Sequence, residues 1–294
     1  MAKPRELRRR IKSVQSTRKI TKTMELVATS KLKRAQDRVI AARPYAAALA
    51  DVIGDLYAPE LAERFPLLRQ PAGKSRRVAL VVITANRGLC GAFNANLIRE
   101  ARRRIEQLEA DGVGVDLHLI GKKGITYFKF AKRPAVSQRT DIGDKPRAEH
   151  AAEIVGPLMT QFASGALDAV EVVFAQFKSA VSTPPTTLRV LPIAPPRAAE
   201  DGEGRQRAVN YILKPSAEAI LEQLLPLYVR NQIYRALVET AAAFLGAQRT
   251  AMKNATDNAG DIIELLQRTY NRARQAQITQ ELAEIVGGAE ALKG

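Results

Sequence analysis

The chain has 294 residues, with 46 Lys and Arg against 30 Asp and Glu, a net charge of +16, one cysteine and no tryptophan. That length supports one substantial core plus extensions, and the single Cys90 excludes an intrachain disulfide or a multi-cysteine metal site. The apolar run at 78–83 falls far short of the ~20 residues that span a membrane, and the charged start Met1-Ala2-Lys3-Pro4-Arg5 lacks the apolar stretch of a signal peptide.

Residues 1–57 read as one long helix, with Leu7, Ile11, Val14, Ile20, Met24, Val27, Leu32, Ala35, Val39, Leu49, Val52 and Leu56 recurring on one side. The polar stretch 15–17 weakens that seam locally. Ala, Thr and Met are frequent along it, which predicts a close-packed pair rather than a leucine zipper. Residues 1–43 carry 14 Lys or Arg against 3 acids. Such a helix prefers an acidic surface, nucleic acid or anionic lipid to plain solvent.

Residues 58–75, with Pro59, Pro66, Pro71 and Gly73, read as a linker. The stretch 76–208 reads as a Rossmann-like α/β domain with a mainly parallel sheet. Its predicted strands lie at 76–86, 115–120, 135–140, 169–177 and 187–192, with helices at about 91–109, 124–130 and 146–164. Asp144 is the expected N-cap of the last helix, with Pro146 in its first turn.

The final segment, 209–294, starts with a short apolar stretch at 210–213, and Ser216 is the expected N-cap of a second long helix. Its expected seam is Ile220, Leu224, Leu227, Tyr234, Leu237, Phe244, Met252, Ile262, Leu266, Tyr270, Ile278, Leu282 and Ile285. A helix of ~75 residues is ~110 Å long, wider than any core of this size, so it must project and needs a partner. The first helix is that partner, and the folded segment between them predicts an antiparallel coiled coil. The second helix is longer, which leaves an apolar tip, with Ile278, Leu282, Ile285 and Val286, unpaired up to Gly287-Gly288. An apolar tip without a partner should sit inside something else.

No catalytic constellation emerges. The turn Arg87-Gly88-Leu89-Cys90-Gly91 places Leu and Cys where a dinucleotide fold needs close backbone approach. Gly121-Lys122-Lys123-Gly124 lacks the first glycine and the Ser or Thr of a phosphate-binding loop. His118 and His150 have no carboxylate or cysteine cluster at ligand spacing. Cys90 reads as a small packing residue. The expectation is a non-catalytic mechanical or interaction protein without a cofactor or metal.

Three segments carry a family resemblance: Arg9-Arg10-Ile11-Lys12-Ser13-Val14 with Ile20-Thr21-Lys22-Thr23-Met24-Glu25-Leu26-Val27-Ala28; Arg87-Gly88-Leu89-Cys90-Gly91 with Asn94; and Ala251-Met252-Lys253-Asn254-Ala255-Thr256-Asp257-Asn258-Ala259 with the run 270–286. Together they resemble the γ subunit of F-type ATP synthases over essentially the whole chain. The resemblance implies a central rotor shaft that transmits torque between a membrane ring of c subunits and a catalytic α3β3 hexamer. The implied partners are the α and β subunits, the ε subunit and the c ring, with no nucleic acid. The implied location is peripheral, on the cytoplasmic face of the bacterial inner membrane. Carried over position by position, it implies a β-subunit contact at Met24, Arg274, Gln275, Thr279 and Glu281. It implies a tip held in the hexamer sleeve at Ile278, Leu282, Ile285 and Val286, and a c-ring or ε contact at Tyr211, Lys214 and Glu218. Departures from the family pattern are Lys214 before the proline, Asn86 before Arg87, and the apolar 243–248 run. The inserted cysteine pair of redox-switched relatives is absent, so dithiol regulation is not expected. The competing reading is a basic coiled-coil protein that binds nucleic acid.

Overall fold

The computed structural model describes residues 4–56, 64–70, 75–193 and 216–291. Two helices dominate it: α1, Pro4–Leu56, and α5, Ala217–Ala291. Ser216 caps α5 as expected, its hydroxyl accepting from the Ala219 N–H at 3.2 Å. The polar stretch in α1 does not interrupt it. Ser16 and Thr17 return their hydroxyls to the carbonyls of Lys12 and Ser13, which satisfies them inside the helix.

The chain forms two compact units, Met1–Thr29 with Gln248–Gly294, and Ser30–Ala247. The boundaries fall inside both long helices, so neither helix is confined to one unit.

The larger unit holds a five-stranded sheet in the order β3-β2-β1-β4-β5. Its strands are β1 Arg77–Ile83, β2 Gly114–Ile120, β3 Ser137–Arg139, β4 Ala169–Ala175 and β5 Pro185–Leu191. The β1–β2, β1–β4 and β2–β3 pairs are parallel, and β5 runs antiparallel to β4. Three further helices complete the unit: α2 Phe93–Ala110, α3 Lys122–Phe130 and α4 Ala148–Ala163. β1 and β4 are buried on both faces, as a parallel strand covered by helices must be. Ala79, Val81 and Ile83 face one core with α4, Leu49, Ile53 and the Leu221–Leu225–Val229–Ile233 stripe of α5. Leu80 and Val82 face the other with α2, Leu32, Ala35, Val39, Val238 and Phe244.

Three local readings change. The N-cap of α4 is Arg147, not Asp144, and Pro146 lies outside the helix. Asp144 instead takes ion pairs from Lys31, at 3.6 Å, and from Arg87. The presumed linker contains a buried anchor: Pro66–Leu68 forms a 3-10 turn with Leu68 in the core, and Arg69 donates to the Phe162 carbonyl at 3.0 Å. Gly287 and Gly288 do not end α5, which continues to Ala291. The short apolar stretch at 210–213 lies outside the described residues.

The glycines of the rejected phosphate-loop motif have a steric role. Gly121 adopts φ +96°, and a side chain there would lie 2.1 Å from the Thr84 carbonyl oxygen. Thr84 Oγ1 accepts from the Gly124 N–H at 2.9 Å. Asn86, a departure from the family pattern, uses chemistry that Asp lacks. Its amide donates to the carbonyls of Thr140 and Ile142 at 2.9 and 3.0 Å, while its oxygen accepts from Lys122 N–H. Cys90 is buried, its pKa raised by burial, and Asn94 donates to its sulfur at 3.2 Å.

Candidate functional site

The smaller unit is a helix pair. Thr256 Oγ1 donates to Thr21 Oγ1 at 2.8 Å, and a side-chain carbon at Gly260 would lie 3.9 Å from the Arg18 guanidinium. Advancing four residues on α5 therefore retreats three on α1, so the pair is antiparallel. The inward positions of α5 are Met252, Thr256, Ala259, Ile263, Leu266, Tyr270 and Ala273, alternating by four and three residues. Those of α1 include Leu7, Ile11, Val14, Thr21 and Ala28, on the same alternation.

This register corrects the expected seam. Ile262 is 47 % exposed whereas Ile263 is 7 % exposed, and Ile20 and Val27 face outward with Leu26. In the larger unit the expected Leu237 and Phe244 are buried and Leu224 and Tyr234 pack half-buried on the core, whereas Leu221 and Leu225 are the fully buried positions at the start of α5 and the expected Leu227 is exposed. Seam phase is set by the 3.5-residue repeat, and the strongest apolar residues do not all lie on it.

The seam ends at Ala273, the last half-buried residue of α5; positions 274–289 are all exposed. Extending the repeat would bring Gln277, Gln280 and Glu284 inward. These are polar and satisfied within the helix, Gln277 donating to Glu281 at 2.8 Å and Gln280 to Glu284 at 2.9 Å. The apolar residues of the tip, Ile278, Leu282, Ile285 and Val286, are exposed, and none of them falls on the extended seam positions. They form a stripe of their own about 12 Å long, on a single-helix segment, 274–289, of about 24 Å at 1.5 Å per residue.

Arg274, Gln275, Thr279 and Glu281 lie on this single-helix segment and are exposed. The Thr279 hydroxyl returns to the Gln275 carbonyl at 3.0 Å. Met24 does not join them. The Thr21–Thr256 register puts it opposite about Lys253, roughly 30 Å along the pair from Arg274. Glu218, at the start of α5, forms an ion pair with Arg64. Tyr211 and Lys214 lie outside the described residues.

The larger unit has two buried charge arrangements. Glu171, 2 % exposed, accepts from Arg104 at 2.6 and 2.7 Å and from Arg189 at 3.0 and 3.3 Å. Burial pushes its carboxyl up, but the two guanidiniums outweigh that and hold it below the usual range. Glu239 of α5, 1 % exposed, accepts from Arg235 at 2.7 Å and from the Phe177 N–H at 3.0 Å. Sequence reading missed both. Neither residue sits in a motif: Glu171 meets its partners only when α2 and β5 lie beside β4, and Glu239, four residues from Arg235 on α5, meets the Phe177 N–H only when the helix lies on the sheet.

The family model for ATP synthase matches residues 3–292. The chain is 64% identical over 294 residues, all of both chains, to the ATP synthase gamma chain of Gemmatimonas aurantiaca. It is 44% identical to that of Leptospira biflexa, over 99% of this chain and 100% of the relative. Among solved structures, it resembles a chain of the Euglena gracilis mitochondrial ATP synthase, OSCP/F1/c-ring, with a TM-score of 0.68 at 20% identity, over 98% of this chain and 94% of that one. A chain of the Tetrahymena thermophila mitochondrial ATP synthase, central stalk/c-ring, gives a TM-score of 0.60 at 23% identity, covering 80% of this chain and 99% of that one. An antiparallel helix pair, an α/β unit and a match over the whole length coincide: this chain belongs to the ATP synthase gamma-chain family.

Proposed function

We propose that the chain is the central-stalk rotor subunit of a proton-translocating F-type ATP synthase, carrying torque between the membrane c ring and the α3β3 hexamer, with no active site of its own. The observation that carries this reading is the end of the seam at Ala273. Beyond it α5 continues as a single helix with an apolar stripe out of phase with its partner. Such a stripe is suited to an enclosing apolar sleeve. Ile278, Leu282, Ile285 and Val286 are assigned to that sleeve, and Arg274, Gln275, Thr279 and Glu281 to the β subunits just below. Arg274 is suited to bidentate pairing with a carboxylate. Met24 is assigned to a second β contact lower on the shaft. Tyr211, Lys214 and Glu218 are assigned to the c ring and ε.

The chain is a non-catalytic, peripheral component. No helix among the described residues is long and apolar enough to cross a membrane. We place it on the cytoplasmic face of the bacterial inner membrane. The nucleic-acid reading has no support among the relatives, which are ATP synthase gamma chains. The basic face of α1 is instead suited to acidic surfaces of the β subunits, and part of its charge is compensated within the helix, as at Glu6–Arg10 and Lys33–Asp37.

The test is affinity purification of the internally tagged chain from its own cells. Co-purification of α, β and ε in stoichiometric amounts is expected. Recovery of the chain alone, or with nucleic acid, would overturn the reading.

A further inference from the structure

Open α/β sheets bind ligands in the crevice outside the carboxyl ends of their strands, where the strand order reverses. Here that point lies between β1 and β4: the chain leaves β1 toward β2 and β3, then returns to β1's other side with β4. The crevice is filled by α5. Leu237, Thr240 and Phe244 close over Ile83 and Thr84, leaving a cavity of about 40 Å³. Phe244 packs edge-on against Phe93 at the start of α2, with ring centroids 5.9 Å apart, and Arg87 lies over its face.

The polar contacts explain why a helix is held there. The β1–β4 ladder stops at Val82 and Val173. Beyond it the N–H groups of Ala175 and Phe177 have no β1 carbonyl to meet, and a buried N–H needs an acceptor. α5 supplies two. Thr240 Oγ1 accepts from the Ala175 N–H at 3.3 Å, and Glu239 Oε2 accepts from the Phe177 N–H at 3.0 Å. Arg235 holds the other carboxylate oxygen of Glu239 at 2.7 Å. About two turns further on, Gly246 admits the Ala180 carbonyl, which would lie 2.9 Å from any side-chain carbon there. The apolar 243–248 run, a departure from the family pattern, is thus the segment that packs on the sheet and its loop.

We propose that Glu239 and Thr240 are positioning residues that fix the rotation of α5 on the sheet, so that a turn of the α/β unit is passed to the helix without slip. Apolar side chains alone allow a helix to roll in its groove. Two directed bonds, to the N–H of the last residue of β4 and to that of Phe177 two residues beyond it, do not. This inference rests on the rotor reading.

The test uses the assembled complex, stalled with nucleotide, with a bead attached through Phe130→Cys on the exposed end of α3. In Glu239→Ala and Thr240→Val the angular spread of the bead is expected to widen. In the full chain, amide exchange at Ala175 and Phe177 is expected to speed up by about fivefold to tenfold, the equivalent of one lost buried bond. A lowered melting temperature with unchanged angular spread would reduce the pair to ordinary packing and overturn the proposal. Unchanged exchange at both amides would overturn it as well, even for a variant that does not assemble. Failure of the rotor reading would be seen separately, as absence of ATP-driven bead rotation in the complex with native Glu239 and Thr240.

Discussion

Thr256 donates a hydrogen bond to Thr21 across 235 residues of sequence, at 2.8 Å, in the middle of an otherwise apolar seam. Thr21 passes its own hydroxyl to the Arg18 carbonyl at 3.1 Å. Each hydroxyl also reaches a carbonyl of its own helix, Arg18 for Thr21 and Met252 for Thr256 at 2.8 Å, so a slipped alignment leaves neither unmatched and loses only the one bond between the helices that favours this register. A double-mutant cycle of Thr21→Val and Thr256→Val, read by thermal unfolding, is expected to give a coupling of about 1 kcal/mol. Additive single-variant effects would mean that the bond contributes nothing.

Deleting residues 278–294 removes the apolar stripe of the tip but no position of the paired seam. The circular dichroism of the truncated chain should fall only by the missing helical residues, with its melting temperature kept. Coupled ATP synthesis by the reconstituted complex should drop. Normal synthesis would remove the tip from the bearing.

Gly121→Ala is expected to destabilise the larger unit by more than about 3 kcal/mol. The substitution forces a side chain into a left-handed backbone and against the Thr84 carbonyl. Chemical denaturation measures it. A cost below 1 kcal/mol would mean that β1 and α3 can separate without penalty.

These glycines mark how far the sequence could be read. All five strands, the three short helices and the Ser216 cap were legible, because periodicity and turn residues act locally. The seams were legible only to within one residue. Ile20, Val27 and Ile262 are strongly apolar but out of phase, and nothing local marks Thr21 and Thr256 as inward. The tip was legible as an excess of helix length. The socket at Glu239 was not, since an acid at helical spacing beside an apolar stripe looks solvated until β4 is placed beside it.

His118 provides a pH-dependent term. Its Nδ1 meets Ser137 Oγ at 2.7 Å, its Nε2 is buried without a partner, and burial lowers its pKa despite the opposing charge of Asp116. The folded state therefore resists protonation more than the unfolded chain, whose histidine titrates near ~6.5. Stability should be lost as pH falls through that value, with the loss growing down to the folded pKa. Unfolding of the native chain and of His118→Gln at pH 7.5 and 5.5 tests this: the native chain should lose more. Equal losses would place the titration elsewhere.

Glu171→Ala should cost about 2–3 kcal/mol, less than the ~3–5 of a wholly buried pair, because Arg189 is half exposed and can turn to water. Urea unfolding at pH 7 measures it. The contribution of Glu171 should fade in acid: with its folded pKa lowered, the stability it supplies is complete above the unfolded glutamate pKa of ~4.3 and lost as pH falls through the folded value.

Leu32, Ala35 and Val39 of α1 share a core with Val238, Ala242 and Leu245 of α5. The entropic cost of joining Thr21 to Thr256 is therefore not that of closing a free loop of that length. Once the larger unit has folded, the two strands of the future pair already start side by side, and the closure that remains spans only a few turns. Long-range pairing, ordinarily the slow part of folding, becomes a local reaction that waits on the sheet.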